Sequence, residues 1–176
     1  MDNRYKAISH AETGSEKNPH IRTKLKNTPG GSTAFGPAQI TGTTAEGAYK
    51  AGYLSKESKK FHEEVMRPKY ELMKKHGNNK GKVKDYNPRY DYGGDAEFDA
   101  KKHGASYEKY AKDIIGGVSK EAKGDEKEFV RKWRGKTEKQ DPEYFKRYEE
   151  GKKKAEDEEL GQEMVRQMKS TNKGME

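Results

Sequence analysis

Three segments decide how this chain is read: Ala11-Glu12-Thr13-Gly14, then Ser32-Thr33-Ala34-Phe35-Gly36-Pro37-Ala38-Gln39-Ile40-Thr41, then Thr43-Thr44-Ala45. Upstream of the first, Tyr5, Ile8 and Ala11 or Glu12 recur at helical spacing, so residues 3–12 are expected to form a short helix that Gly14 stops. Glu12 then sits at a helix C-terminal end, where the backbone dipole disfavours a carboxylate. From Gly14 to Gly42 the chain is rich in Gly, Pro, Ser, Thr and Asn, with turns marked by Asn18-Pro19, Thr28-Pro29-Gly30-Gly31 and Gly36-Pro37. An irregular stretch of that length is uncommon unless it has a function.

Working outward, Thr43 or Thr44 caps a helix to about Leu54, and Ser55 caps another that runs to Lys75 and kinks at Pro68. The second turns Phe61, Val65, Leu72 and Met73 inward, and His76-Gly77 ends it. Residues 77–103 read as a loop region with a tyrosine-rich cluster, Asp85 to Gly94, suited to be a contact surface. Three helices follow at 105–118, 125–134 and 141–150, the last with Asp141 as N-cap before Pro142. Residues 151–176 are strongly charged with sparse apolar positions (Leu160, Met164, Met168), which makes them either a solvated helix packing one thin stripe or a frayed tail. The expected architecture is mainly α: one domain over residues 1–150 with long loops, and a charged C-terminal helix or tail over 151–176.

Composition sets the limits of that domain. Leu, Ile, Val and Phe number 4, 5, 5 and 5 among 176 residues, a share low enough that a highly charged chain can fail to fold. Eleven Tyr, six Met and one Trp supply the missing apolar area. The absence of Cys removes disulfides, thiolate metal sites and cysteine nucleophiles. No apolar run is long enough to span a membrane, and Met1-Asp2-Asn3-Arg4-Tyr5 lacks the apolar stretch of a secretory signal. A net charge of +8 favours an anionic partner, but Lys is interleaved with Glu and Asp instead of gathered in a stripe, which argues against nucleic acid. The five His have no paired ligand spacing, so no metal or other cofactor is expected.

The opening segments, with Asn18-Pro19 between them, resemble the soluble lytic transglycosylase and goose-type lysozyme superfamily. That pattern is a helix ending in Glu-Ser-Gly, then Asn-Pro, then Gly-Ala-x-Gly-Leu-Met-Gln followed by a hydrophobic residue, then a Thr-Ala helix start. Downstream, Tyr107, Tyr110-Ala111, Gly124-Asp125, Trp133-Arg134-Gly135, Asp141 and Tyr144 look like the family's closing helices. The chain is most similar to transglycosylase domains of tailed-phage virions. Three departures stand out: Thr13 replaces the family's Ser, Pro37-Ala38 replaces Leu-Met, and Lys132-Trp133-Arg134-Gly135 replaces Tyr-Asn-x-Gly. The Tyr hydroxyl that meets the Glu in the family therefore comes from elsewhere or is absent.

The resemblance implies a lysozyme-like fold that cleaves the MurNAc-GlcNAc β-1,4 bond of peptidoglycan. Glu12 would be the catalytic acid and base, and Thr13, Phe35, Gln39, Ile40, Trp133 and Arg134 would contact substrate. Glycoside cleavage needs an acid for the leaving oxygen and usually a second carboxylate. Between Glu12 and Asp85 the acids are Glu16, Glu46, Glu57, Glu63, Glu64 and Glu71, none in a loop beside Gln39, so a single-acid mechanism fits best. Glu12 would need a raised pKa, with Ile8, Phe35, Ile40 and Trp133 as the candidate apolar wall. Asp91 and Asp95 are the candidates for a second carboxylate if the enzyme hydrolyses as a muramidase. The start without a signal peptide and the charged tail point to a phage particle protein, acting on glycan strands at the host wall or periplasm alongside other virion or tail proteins. A catalytically idle structural virion protein with the same fold is the alternative.

Overall fold

The computed structural model describes residues 3–14, 34–71 and 100–174; of these 79% are helical, with no strand among them. The expectation of a mainly α chain holds. Helix α1 spans Arg4–Thr13, α2 Gly42–Lys50 and α3 Lys56–Phe61, which continues through a π-turn at His62–Met66 and helical residues 67–71. Then come α4 (Ala100–Glu121), α5 (Glu126–Arg134) and α6 (Pro142–Gly174). Asn18-Pro19, Ser32-Thr33, Leu72, Met73 and the Asp85–Gly94 cluster with Asp91, together with Asp95, lie outside the described residues.

The punctuation expected from sequence is largely where the chain puts it. Gly14 closes α1, its N–H on the His10 carbonyl at 2.9 Å. The hydroxyl of Ser55 caps α3 by accepting from the Ser58 N–H at 3.2 Å, and the carboxylate of Asp125 caps α5 by accepting from the Glu128 N–H at 2.7 Å. Asp141 caps α6 ahead of Pro142, as its spacing requires, accepting from the Tyr144 N–H at 3.3 Å.

Several boundaries differ. α2 begins at Gly42 because Thr41, not Thr43 or Thr44, is its cap, and it ends at Lys50, before the Ala51-Gly52 turn, instead of near Leu54. The expected distortion at Pro68 takes the form of the π-turn just upstream. A proline ring displaces the carbonyl four residues back, here that of Glu64 inside the π-turn, and a wider turn accommodates it. α4 starts at Ala100 in place of 105, through a stretch expected to be loop. α6 runs on without a break past residue 150, so the join between 150 and 151 is not an element boundary.

α4 is the hub, packing against α1, α2, α3 and α5. Its buried face carries Tyr107, Tyr110, Ala111, Ile114 and Ile115, and the largest fully buried side chains of the core are mostly aromatic. Rings do the work that Leu and Val would do in an ordinary domain. Against this hub α1 lies antiparallel to α6: Lys6 Nζ is 3.8 Å from Glu158, His10 Nε2 is 4.0 Å from Glu150, and Ala7 faces Gly151. The crossing depends on Gly151. A Cβ there would stand 2.6 Å from His10 Cβ and 3.1 Å from the Ala7 backbone. Glu126 of α5 ties the pair together, bridging the Arg4 guanidinium and the Tyr148 hydroxyl (2.8 Å). Among the described residues no helix is long and apolar enough to cross a membrane.

Candidate active site

Antiparallel packing of α1 on α6 carries the C-terminal end of α1 to the start of α6. There the Tyr144 hydroxyl donates to Glu12 Oε1 at 2.8 Å across 132 residues of sequence. Tyr144 is 1% exposed, and a buried phenol needs an acceptor. Burial pushes the Glu12 carboxyl above its ordinary value, against the lowering pull of the Tyr144 hydroxyl and of Arg134 and Arg147. Asp141 adds a raising contribution. The result is a half-buried acid whose protonated form is favoured, oriented by one hydrogen bond.

Two arginines flank the tyrosine. Arg134, the last residue of α5 before the left-handed Gly135 (φ 75°), lays its guanidinium 4.8 Å from the Tyr144 ring centroid. Its Nε donates to Asp141 Oδ2 at 2.9 Å, and this pairing holds the Asp141 carboxyl below its usual range. One carboxylate thus caps α6 with one oxygen and fixes Arg134 with the other. Arg147, one turn along α6, stands 5.9 Å from the same ring. Glu12, Arg134, Asp141, Tyr144 and Arg147 form one cluster built from α1, the end of α5 and the start of α6.

The second segment forms a tight turn beside α4. Phe35 and Ile40 exchange both backbone hydrogen bonds (3.2 and 3.1 Å) around residues 36–39. The Tyr107 hydroxyl donates to the Phe35 carbonyl at 2.8 Å and lies 3.3 Å from the Ala38 N–H, while the Tyr70 hydroxyl donates to the Ile40 carbonyl at 2.9 Å. Gly36 is required here twice over: its φ is +80°, and a Cβ would stand 2.3 Å from the Tyr107 ring.

The candidate residues separate accordingly. Glu12 and Arg134 are brought together. Phe35 and Ile40 are buried in the core at 1% and 2% exposure, where burial itself holds them. Gln39 adopts a left-handed φ of 48° and donates its amide to the Gly36 carbonyl at 2.8 Å, bracing the turn. The Thr13 hydroxyl donates to the Ser9 carbonyl at 2.7 Å. Trp133 is half-buried, its ring stacked on Phe129 at 6.2 Å. Sequence reading missed Tyr144, Arg147 and the part played by Asp141 in holding Arg134. The signal was present in one respect: of the three rings at 144, 145 and 148 on α6, two carry hydroxyls that need acceptors once buried.

Among the described residues no cluster of His, Asp or Glu has the arrangement of a metal site. The open groove between α1 and α6 is lined by Tyr5, Lys6, Ser9, His10, Lys154 and Glu158 among others, and lies beside Gly14. Known protein families, curated proteins and solved structures offer no match to this chain.

Proposed function

We propose that this chain is a lysozyme-like peptidoglycan lytic transglycosylase, with Glu12 as its acid and base. The observation that carries the reading is the Tyr144 hydroxyl on the half-buried Glu12 carboxyl at 2.8 Å. A tyrosine hydroxyl meets the glutamate in the family that the sequence resembles, and the segment expected to supply it lacks the residue. Tyr144 supplies the same group from the start of the next helix.

Chemically, a carboxyl whose burial favours its protonated form is suited to give a proton to the leaving glycosidic oxygen. The resulting carboxylate then takes a proton from the muramic acid C6 hydroxyl as that oxygen attacks C1, giving a 1,6-anhydro end without added water. Tyr144 orients the carboxyl in both states and stabilises the ionised one. Arg134 and Arg147 favour the ionised state as well, and their positive charge suits the carboxylates of the peptide stem. On this reading the enzyme belongs to a phage particle and opens the host wall locally.

A second reading has one specific observation behind it. Thr13 and Gln39 both bond to their own backbone neighbourhood, which is what a retained but idle lysozyme-like scaffold in a structural virion protein would keep. Incubating the protein and Glu12→Gln with isolated peptidoglycan, followed by mass spectrometry of released muropeptides, separates the two. Anhydro products from the wild type alone are expected. Reducing-end products would indicate hydrolysis, and no release from a folded wild type would favour the idle scaffold.

A further inference from the structure

Among the described residues Arg4, Arg67, Arg131, Arg134 and Arg166 each have a carboxylate within ion-pair reach. Arg147 has no such partner among them. Its own helix offers two carboxylates at neighbouring positions, Glu143 four residues before it and Glu150 three after. Pairs of this kind form elsewhere: Arg131 takes Glu128 and Arg166 takes Glu163, each three residues back. Three residues back from Arg147 stands Tyr144, and the guanidinium lies 5.9 Å from that ring, while Glu150 lies 4.0 Å from His10 of α1. Arg147 Nε is buried without a hydrogen-bond partner, an expensive state for a charged donor, and the terminal nitrogens are left to solvent.

The charge balance around Glu12 gives this its meaning. Asp141 balances Arg134 at 2.9 Å. With Glu12 protonated, the form its burial favours, the cluster keeps one uncompensated positive charge, that of Arg147, which lies close enough to act on Glu12. A substrate arriving at Glu12 meets a planar fork of N–H donors with no acceptor in place, and a carboxylate matches that fork in shape and charge. In a glycan strand of peptidoglycan only the muramic acid side of the scissile bond offers one. It lies on the lactyl group where the peptide stem is absent, and along the stem where it is present.

We propose that Arg147 binds a carboxylate of the muramic acid residue or of its peptide stem, and so selects which sugar is placed against Glu12. The proposal rests on the reading of Glu12 as the acid that cleaves peptidoglycan. Arg134 contributes less to this selection, because Asp141 already balances its charge.

A cycle on protein and substrate together is the test: kcat/KM for muropeptide release by the wild type and Arg147→Ala, each on native peptidoglycan and on peptidoglycan whose carboxylates have been converted to amides. Either change alone is expected to cost about tenfold, and both together little more than one, because they remove the same pair. Lys120→Ala, which removes an exposed positive charge from α4, is expected to show no such coupling, which separates the contact from general attraction between a basic chain and an anionic wall. Arg147→Lys keeps the charge without the fork and is expected to recover part of the loss on native peptidoglycan, with folding of all variants checked by circular dichroism. Glycan strands stripped of their stems by an amidase distinguish the two sources. A loss for Arg147→Ala that persists on them assigns the contact to the lactyl carboxylate, and a loss that disappears assigns it to the stem.

Losses that multiply to about a hundredfold overturn the proposal, as does equal coupling at Lys120. A wild type that releases nothing from native peptidoglycan defeats the transglycosylase reading instead. The contact is then decided by co-sedimentation of Glu12→Gln, with and without Arg147→Ala, on native and amidated peptidoglycan: about tenfold coupling in Kd supports it, and independent effects overturn it.

Discussion

At the scale of single residues the proposed chemistry rests on one carboxyl and one hydroxyl. Since burial raises the Glu12 pKa, the folded state binds that proton more tightly than the unfolded state does. The contribution is therefore fully present below the ordinary carboxylate value of 4.5 and lost as pH rises through the higher folded value. Glu12→Gln has no such loss, so its melting temperature is expected to exceed the wild type's at pH 8 and to draw level near pH 4; thermal scans across that range check it. Removing the Tyr144 hydroxyl takes away a group that lowers the same pKa. Tyr144→Phe is expected to shift the alkaline limb of the pH–rate profile upward and to reduce kcat by roughly tenfold or more, given that a hydrogen bond to a charged group contributes about 1.5–3 kcal/mol. Muropeptide release measured against pH tests both parts. The cap residues Ser55 and Asp141 were legible because capping depends on neighbours three residues away. The Glu12–Tyr144 bond was not, because it joins positions 132 residues apart.

Between elements, the crossing of α1 over α6 sets the site. Gly151→Ala would gain up to about 1 kcal/mol in helix propensity. Against that, its Cβ meets His10 and the Ala7 backbone at 2.6 and 3.1 Å, and overpacking of this kind costs about 1–3 kcal/mol. The expected balance is a loss of about 1–2 kcal/mol, read as a lower denaturant midpoint at unchanged slope, together with reduced activity as Glu12 moves away from Tyr144. The π-turn presents a second junction. Its His62 is 0% exposed and lies 2.7 Å from both the Tyr110 hydroxyl and Glu46 Oε1. Arg67, first among several causes, holds the Glu46 carboxyl down to about 2. A depressed carboxylate stabilises the fold above its ordinary 4.5 and loses that contribution as pH falls toward 2. Glu46→Gln is accordingly expected to flatten the acid-unfolding curve between pH 4.5 and 2, modestly, because the carboxylate is partly solvated. Helical spacing foretold that Phe61 would turn inward. That His62 beside it is buried too follows only from the arrival of Tyr110 and Glu46.

For the whole molecule, the scarcity of aliphatic residues is met by rings and by a single hub helix, leaving a compact body and an arm. Truncation after Leu160 removes an arm whose described residues, 161–174, are all exposed. It is expected to leave the stability of the body within about 1 kcal/mol of the full chain, measured by urea unfolding. A larger loss would mean that the arm folds back on the body in solution.

The sequence by itself determined that the chain is mainly helical, where most helices begin, and that Glu12 sits at a helix terminus. Each of these depends on contacts within a few residues: apolar spacing, a capping hydroxyl or carboxylate, a glycine at a stop. It also carried the resemblance that singled out Glu12. Tertiary structure decided what Glu12 faces, because antiparallel packing of α1 on α6 delivers Tyr144 and, with Asp141, fixes Arg134 beside it. It also decided that Phe35 and Ile40 belong to the core, and that Leu160, Met164 and Met168 stay outside it. Apolar spacing specifies that a helix has a face to cover; which face the body covers depends on where the neighbouring helices lie, and α1 lies against the side of α6 that carries Gly151 and Glu158.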